Sequence, residues 1–154
     1  MIAREKIVNL VNEKLQENMF LVDVTVSPAN VIQVELDCMD GLTIDQCVEI
    51  SRYIENQLDR DEEDFGLEVS SPGIDQYFKV NLQYHRNVGR ELMVTTLQNE
   101  ELKGKLVEAG ENGITLEVLM KEKSEDGKRK QMVKINRSLG YPEIKKAKVI
   151  ISFK

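Results

Sequence analysis

The amino-acid sequence predicts an α+β fold: an N-terminal α-β-β-α-β domain over residues 1–74, then a small C-terminal β-barrel of the SH3 or Sm-like kind over residues 75–154. Three observations predict it. Apolar spacing switches between helical and strand period in the first half and keeps only strand period in the second. A Ser70-Ser71-Pro72-Gly73 segment stands between the halves, where proline fixes one backbone angle and glycine permits a positive one, so it reads as an interdomain hinge. The charge also changes sign there. Residues 1–74 hold five basic and 16 acidic residues, a net charge of −11, and the rest hold 16 basic and 11 acidic, a net charge of +5. Two units of about 75 residues each are near the lower limit for independent cores, so each must be simple and tightly patterned.

Ile7, Leu10, Val11 and Leu15 recur at helical spacing with charges between them, predicting an amphipathic helix from Ile2 to Asn18. Val22, Val24 and Val26 then alternate on one face of a strand. Ser27-Pro28-Ala29-Asn30 turns the chain, and Ile32, Val34, Leu36 and Cys38 alternate on the returning strand. Thr43 is placed to cap a second helix, with Gln46 three residues later reaching back as a capping box. Ile44, Cys47, Val48, Ile50, Ile54 and Leu58 form its broad apolar stripe. The helix ends near Leu58, before the acidic run Asp59 to Asp64, and Leu67 to Ser70 is a short strand. Two helices on one face of three strands make a plausible layer pair.

Beyond the hinge, Tyr77, Phe78, Leu82 and Tyr84 supply anchoring side chains. Leu92 and Val94 alternate with polar neighbours, a second strand includes Gly104 and Leu106, and Ala109 to Gly113 is a hairpin connection. Ile114, Leu116, Val118 and Met120 share a face of the next strand. A polar loop from Glu122 to Lys128 leads to Met132 to Ile135, and a last strand carries Val149, Ile151 and Phe153. Five short strands with tight turns in about 65 residues are the basis for the barrel expectation.

Composition excludes several classes. With 41% hydrophobic and 31% charged residues this is a globular composition, and no apolar run approaches the roughly 20 residues of a membrane span. The first residues lack the apolar block of a secretory signal, so a cytoplasmic location without membrane contact is expected. Cys38 and Cys47 lie nine positions apart with one histidine in the chain, too few soft ligands for a four-ligand zinc site, and no metal is expected.

No catalytic constellation emerges. His85, in Gln83-Tyr84-His85-Arg86-Asn87, has no oriented partner suggested by the sequence. Ser70-Ser71-Pro72-Gly73 lacks the glycine two residues before the serine that a nucleophile elbow uses. The Asp59–Asp64 run lacks the alternating ligands and central glycine of a calcium loop. Gly104-Lys105 lacks the upstream glycine of a phosphate loop. The chain is therefore expected to bind rather than catalyse, with no cofactor.

The candidate binding residues are cations. Lys121, Lys123, Lys128, Arg129, Lys130 and Lys134 cluster around one predicted hairpin, followed by Arg137 and then Lys145, Lys146 and Lys148. Convergence at one barrel edge would suit phosphate contacts. Glu122, Glu125 and Asp126 interrupt the cluster, and few aromatics accompany it, so base stacking is not expected.

Leu67 to Asp75, which includes Ser-Ser-Pro-Gly, together with Val88-Gly89-Arg90-Glu91, resembles the signature of the bacterial ribosome maturation factor RimP family. The likeness extends through Gly104-Lys105-Leu106, Gly113-Ile114-Thr115-Leu116 and Ile144-Lys145-Lys146-Ala147-Lys148, and so spans nearly the whole chain. The resemblance implies a non-enzymatic factor, expected here as a monomer, that assists assembly of the small (30S) ribosomal subunit. It would bind the immature subunit through rRNA and a small-subunit ribosomal protein, the latter contact attributed in the family to the C-terminal barrel. One departure is plain: where the family usually continues Arg-Pro-Leu after Gly73-Ile74-Asp75, this chain has Gln76-Tyr77-Phe78. The competing reading is a protein-interaction adaptor whose barrel offers strand edges to a peptide, with no RNA role.

Overall fold

In the computed structural model the described residues are 1–123 and 130–151, with side chains described outside 121–131. The chain folds as two compact units, Met1–Gly73 and Ile74–Lys154.

The first unit opens with α1 (Arg4–Lys14). It is shorter than its apolar spacing suggests at both ends. Ala3 has no side chain to cap the first turn, and Leu15 is already extended. Asn18, at φ 68°, then starts β1 (Met19–Val26), which pairs antiparallel with β2 (Val31–Cys38). The register slips between Leu21 and Asp23, so Val22 is the extra residue of a bulge. Met19, Leu21, Val24 and Val26 therefore oppose Cys38, Leu36, Val34 and Ile32 on the core face. Val22, expected there, stands outside the core cluster.

The β1–β2 turn is organised by Asn30, which sits in the left-handed region at φ 59°. Its Oδ1 accepts from the Ile2 amide (3.0 Å), and its Nδ2 donates to Glu63 Oε1 (2.9 Å) and the Asp64 carbonyl (3.2 Å). Its own carbonyl accepts from the Gly66 amide (2.9 Å), where β3 (Gly66–Ser70) begins. One residue thus ties the N-terminal segment, the acidic run and the third strand together. In the acidic run, Glu63 is held below its ordinary pKa by the Met1 α-amino group (2.6 Å) and by Asn30.

α2 (Ile44–Gln57) carries the expected capping box. Thr43 Oγ1 accepts from the Gln46 amide (3.1 Å), and Gln46 Oε1 accepts from the Thr43 amide (2.9 Å). Ile50 and Ile54 are buried, while Ile44 is 82% exposed and Val48 is also exposed. The reason is angular: at about 100° per residue, Ile44 and Val48 lie roughly 80° and 120° from the direction of Ile54, too far round to reach a three-stranded sheet. α2 carries the chain across to β3, which pairs parallel with β2 to complete the order β1-β2-β3.

The second unit is a five-stranded antiparallel sheet formed by β4 (Glu91–Thr96), β5 (Glu101–Ala109), β6 (Gly113–Lys123), β7 (Lys130–Gly140) and β8 (Ile144–Val149), in the order β7-β6-β5-β4-β8. β7 and β8 are its two ends, and among the described residues no ladder joins them. Leu92, Val94, Leu106, Leu116 and Ala147 form its dry centre. Gly104 lets β5 and β6 meet closely, for a Cβ there would stand 2.6 Å from the Glu117 carbonyl oxygen.

Three expectations differ from this unit. A short helix, α3 (Leu82–Arg86), occupies the anchor segment, held by Gln83 Oε1 accepting from the Val80 amide (3.1 Å) and by Asn87 Nδ2 donating to the Gln83 carbonyl (2.7 Å). Tyr84 is buried edge-on against Phe78 and beside Tyr141, whereas Leu82 and Tyr77 are exposed. Met120 is exposed rather than core, because β6 and β5 pair only as far as Gly104 opposite Val118. β8 stops at Val149, leaving Ile151 exposed beyond it, and Phe153 lies outside the described residues.

Candidate nucleic-acid interface

The predicted cation cluster falls on the β6–β7 hairpin. Its register runs unbroken from Gly113 opposite Gly140 to Lys123 opposite Lys130. Positions 119, 121 and 123 of β6 oppose 134, 132 and 130 of β7, so they share one face of the ribbon. Lys134 is on that face. Arg137 opposes Leu116 and belongs to the other.

Both described cations of the cluster have carboxylate partners. Lys134 Nζ lies 3.6 Å from Glu117 Oε1, and Arg137 Nη2 lies 3.1 Å from Glu100 Oε1. Lys121, Lys123 and Lys130 are placed by backbone alone, and Lys128 and Arg129 lie outside the described residues. The fold therefore brings positions 121, 123, 130 and 134 to one face and sends Arg137 to another.

A second group of cations joins Lys146 and Lys148, which the sequence marks, to Lys103 and Lys105, which it does not. β8 pairs with β4, which pairs with β5, so Lys148, Met93 and Lys103 form one row across three strands. Lys146 opposes Thr95, and Lys105 lies between Glu91 and Glu117. Leu92, Val94, Leu102, Leu106 and Ala147 point into the core, and the lysines alternate with them to the outer face. Tyr77 presents its ring 4.9 Å from Lys146 Nζ and 5.0 Å from Lys148 Nζ, within cation–π range. The Phe78 amide donates to the Ala147 carbonyl (2.7 Å), which pins Tyr77 beside β8. The alternation was visible in the sequence, but the β4–β8 pairing that brings Lys148 level with Lys103 is not local.

The residues expected to form a hinge divide. Ser70 is the last residue of β3, opposite Glu35, and Ser71, Pro72 and Gly73 follow outside any strand. Gly73 does not use its conformational freedom, since the positive-φ glycines among the described residues are Gly41 and Gly89. Among the described residues no group of three or more His, Cys, Asp or Glu is placed to hold a metal. Cys38 is buried in the first core, and Cys47 is half-buried, its thiol pushed up by burial. No helix among the described residues is long and apolar enough to cross a membrane.

Fold and surface together define a two-unit α+β protein with a lysine-rich sheet face. Comparison places it more narrowly. Residues 7–75 match the model of the RimP N-terminal domain. The chain is 37% identical to the ribosome maturation factor RimP of Flavobacterium psychrophilum, across 99% of this chain and 100% of the relative. It is 40% identical to that of Porphyromonas gingivalis across 98% and 100%, and 38% identical to that of Christiangramia forsetii across 97% and 99%. The chain belongs to the ribosome maturation factor RimP family.

Proposed function

We propose that this protein assists maturation of the small (30S) ribosomal subunit in the cytoplasm by binding its immature form, as a monomer and without catalysing a reaction. Contact is made with rRNA, a small-subunit ribosomal protein, or both. Family membership supports the ribosomal role, and the observation that carries the mode of binding is the separation of charge. Net −11 in the first 74 residues suits a lysine-rich protein, and lysines on one sheet face of the second unit suit phosphates. In this reading the second unit is a partly open SH3/Sm-like barrel, and the segment Ser70 to Gly73 is the hinge between functional domains. Such a factor shifts assembly only if it binds early particles more tightly than finished ones.

Sucrose-gradient fractionation tests it: the protein should migrate with free small subunits and not with complete ribosomes. Charge reversal at Lys128, Arg129 and Lys130 should weaken that association. It should also lower the slope of log affinity against log salt by about two to three, if each residue meets one phosphate. Unchanged binding across the titration would remove these residues from the interface. A second reading, a protein adaptor with no RNA role, is favoured by the exposed Leu119, Met120 and Met132 on the hairpin. Absence from every ribosomal fraction would support it.

A further inference from the structure

We infer that the outer edge of β7 is a strand-addition site for an acidic, extended segment of another protein. This goes beyond the ribosomal reading and holds independently of it.

The edge is open over its length. β7 is an end of its sheet, and among the described residues its only backbone ladder is with β6. Its hydrogen-bond phase follows from one contact: the Tyr141 amide donates to the Asn112 carbonyl (3.0 Å), the pair next beyond Gly140 and Gly113. Antiparallel ladders alternate bonded and non-bonded pairs. With no slip in the register, Val133, Ile135, Arg137 and Leu139 therefore turn their amides toward β6. Met132, Lys134, Asn136 and Ser138 turn theirs outward. These four residues span about 20 Å of edge at roughly 3.3 Å per residue, enough for a heptapeptide.

Side chains on the ribbon favour occupation. Met132 is 54% exposed and Ile135 38%, on opposite faces, and Leu119 and Met120 are exposed on β6 beside them. Beyond Val118 opposite Ile135 the hairpin has no β5 partner, and a two-stranded ribbon alone is marginal in water. Charge chooses the occupant. β7 contains Lys130, Lys134 and Arg137 with no acidic residue, and the sheet's other end, β8, contains Lys145, Lys146 and Lys148 with none. A second copy adding β7 or β8 to this edge would set like charges opposite one another, whereas alternate Glu or Asp residues would set opposite ones. Exposed methionine and isoleucine beside the cations favour a strand with apolar side chains over a phosphate backbone.

The probe is the blocked heptapeptide Glu-Val-Glu-Ile-Glu-Val-Glu, titrated into the full chain and read by amide hydrogen exchange. Exchange at Lys134 and Asn136 should slow about tenfold or more on saturation, a factor worth about 1.4 kcal/mol. The already laddered Arg137 should not change. A Lys-Val-Lys-Ile-Lys-Val-Lys peptide should leave all of them unaffected. Asn136→Pro removes an outward donor without touching the β6 ladder and should weaken binding at least about tenfold. Should that variant fail to fold, the fully N-methylated acidic peptide, which keeps the side chains and lacks the donors, should not bind. No slowing with the acidic peptide, equal slowing with the lysine peptide, or slowing by a uridine oligonucleotide in place of the acidic peptide would overturn the inference.

Discussion

Gly104→Ala tests the close approach of β5 and β6. Gly104 lies level with Leu92 on β4 and Val118 on β6, at the last pair before β6 parts from β5. An added Cβ would stand 2.6 Å from the Glu117 carbonyl oxygen, 3.1 Å from its carbon and 3.3 Å from Val118 Cγ1. Two of the three are backbone atoms, so a side-chain rotation cannot relieve the overlap. β6 must retreat by at least about 0.4 Å to restore a 3.0 Å contact, which stretches the neighbouring ladder bonds. Overpacking of this kind costs about 1–3 kcal/mol, and the stiffer unfolded chain returns about 0.4–1 kcal/mol. The net expectation is about 1–2 kcal/mol of destabilisation, a factor of roughly 5–30. Native-state hydrogen exchange of the full chain should show that acceleration at Leu92, Val94 and Leu106. Val34 and Leu36, in the core of the first unit, should be unchanged. Acceleration under about twofold, or equal acceleration in both units, would refute the packing argument.

Three further outcomes follow from named contacts. Asn30→Ala should cost the first unit about 2–3 kcal/mol in urea unfolding, from lost hydrogen bonds and a Cβ forced into the left-handed region; Asn30→Gly, free of the backbone penalty, should recover about 1 kcal/mol of it. Burial, then the neighbouring Tyr141, raises the Tyr84 pKa to about 12. The unfolded chain keeps the usual value near 10, so this stabilisation is complete below about pH 10 and is lost as pH rises toward about 12; the latest tyrosinate absorbance to appear should be that of Tyr84 and should coincide with unfolding of the second unit. Replacing Lys103 and Lys148 by glutamate should reduce affinity for immature subunits more than replacing Lys134 and Arg137, measured by gradient co-migration at several salt concentrations.

Legibility from sequence followed locality. The α2 cap was readable because Thr43 and Gln46 are three residues apart and meet only each other. The β6–β7 pairing was readable from alternation, as was the core face of β2. Val22 was misplaced because a bulge leaves no mark in an alternating Val-x-Val-x-Val pattern. Ile44 and Val48 were overcounted because an apolar stripe shows a helix's direction, and the width of the sheet decides how much of it is covered. α3 escaped because five residues are too few for a periodic signal; its own Gln83 caps the turn before it, and Tyr84 is held by Phe78 and by Tyr141 of a distant segment. The site was legible only in outline. The sequence shows the hairpin's cations, but Glu100 lies 37 positions from Arg137, and the row from Lys148 to Lys103 exists only through β4.

That difference bears on which lysines are available to a phosphate. Lys134 and Arg137 already rest against Glu117 and Glu100, so meeting a phosphate means separating an ion pair and leaving a carboxylate facing the incoming charge. Surface pairs are individually worth about 0–1 kcal/mol, so the separation itself is cheap, and the larger penalty is the repulsion from the carboxylate left behind. Lys103 and Lys148 lie in a row whose middle member is Met93, and neither makes an ion pair with a described residue. Lys105, set between Glu91 and Glu117, is intermediate. Counterion release rewards each cation in proportion to the phosphate charge it neutralises alone. The sheet face around Tyr77, Lys103, Lys146 and Lys148 therefore gains more from an RNA backbone than the described part of the hairpin does. The exposed methionines of the hairpin suit an added protein strand, whose contact is made chiefly through outward backbone amides that no carboxylate opposes.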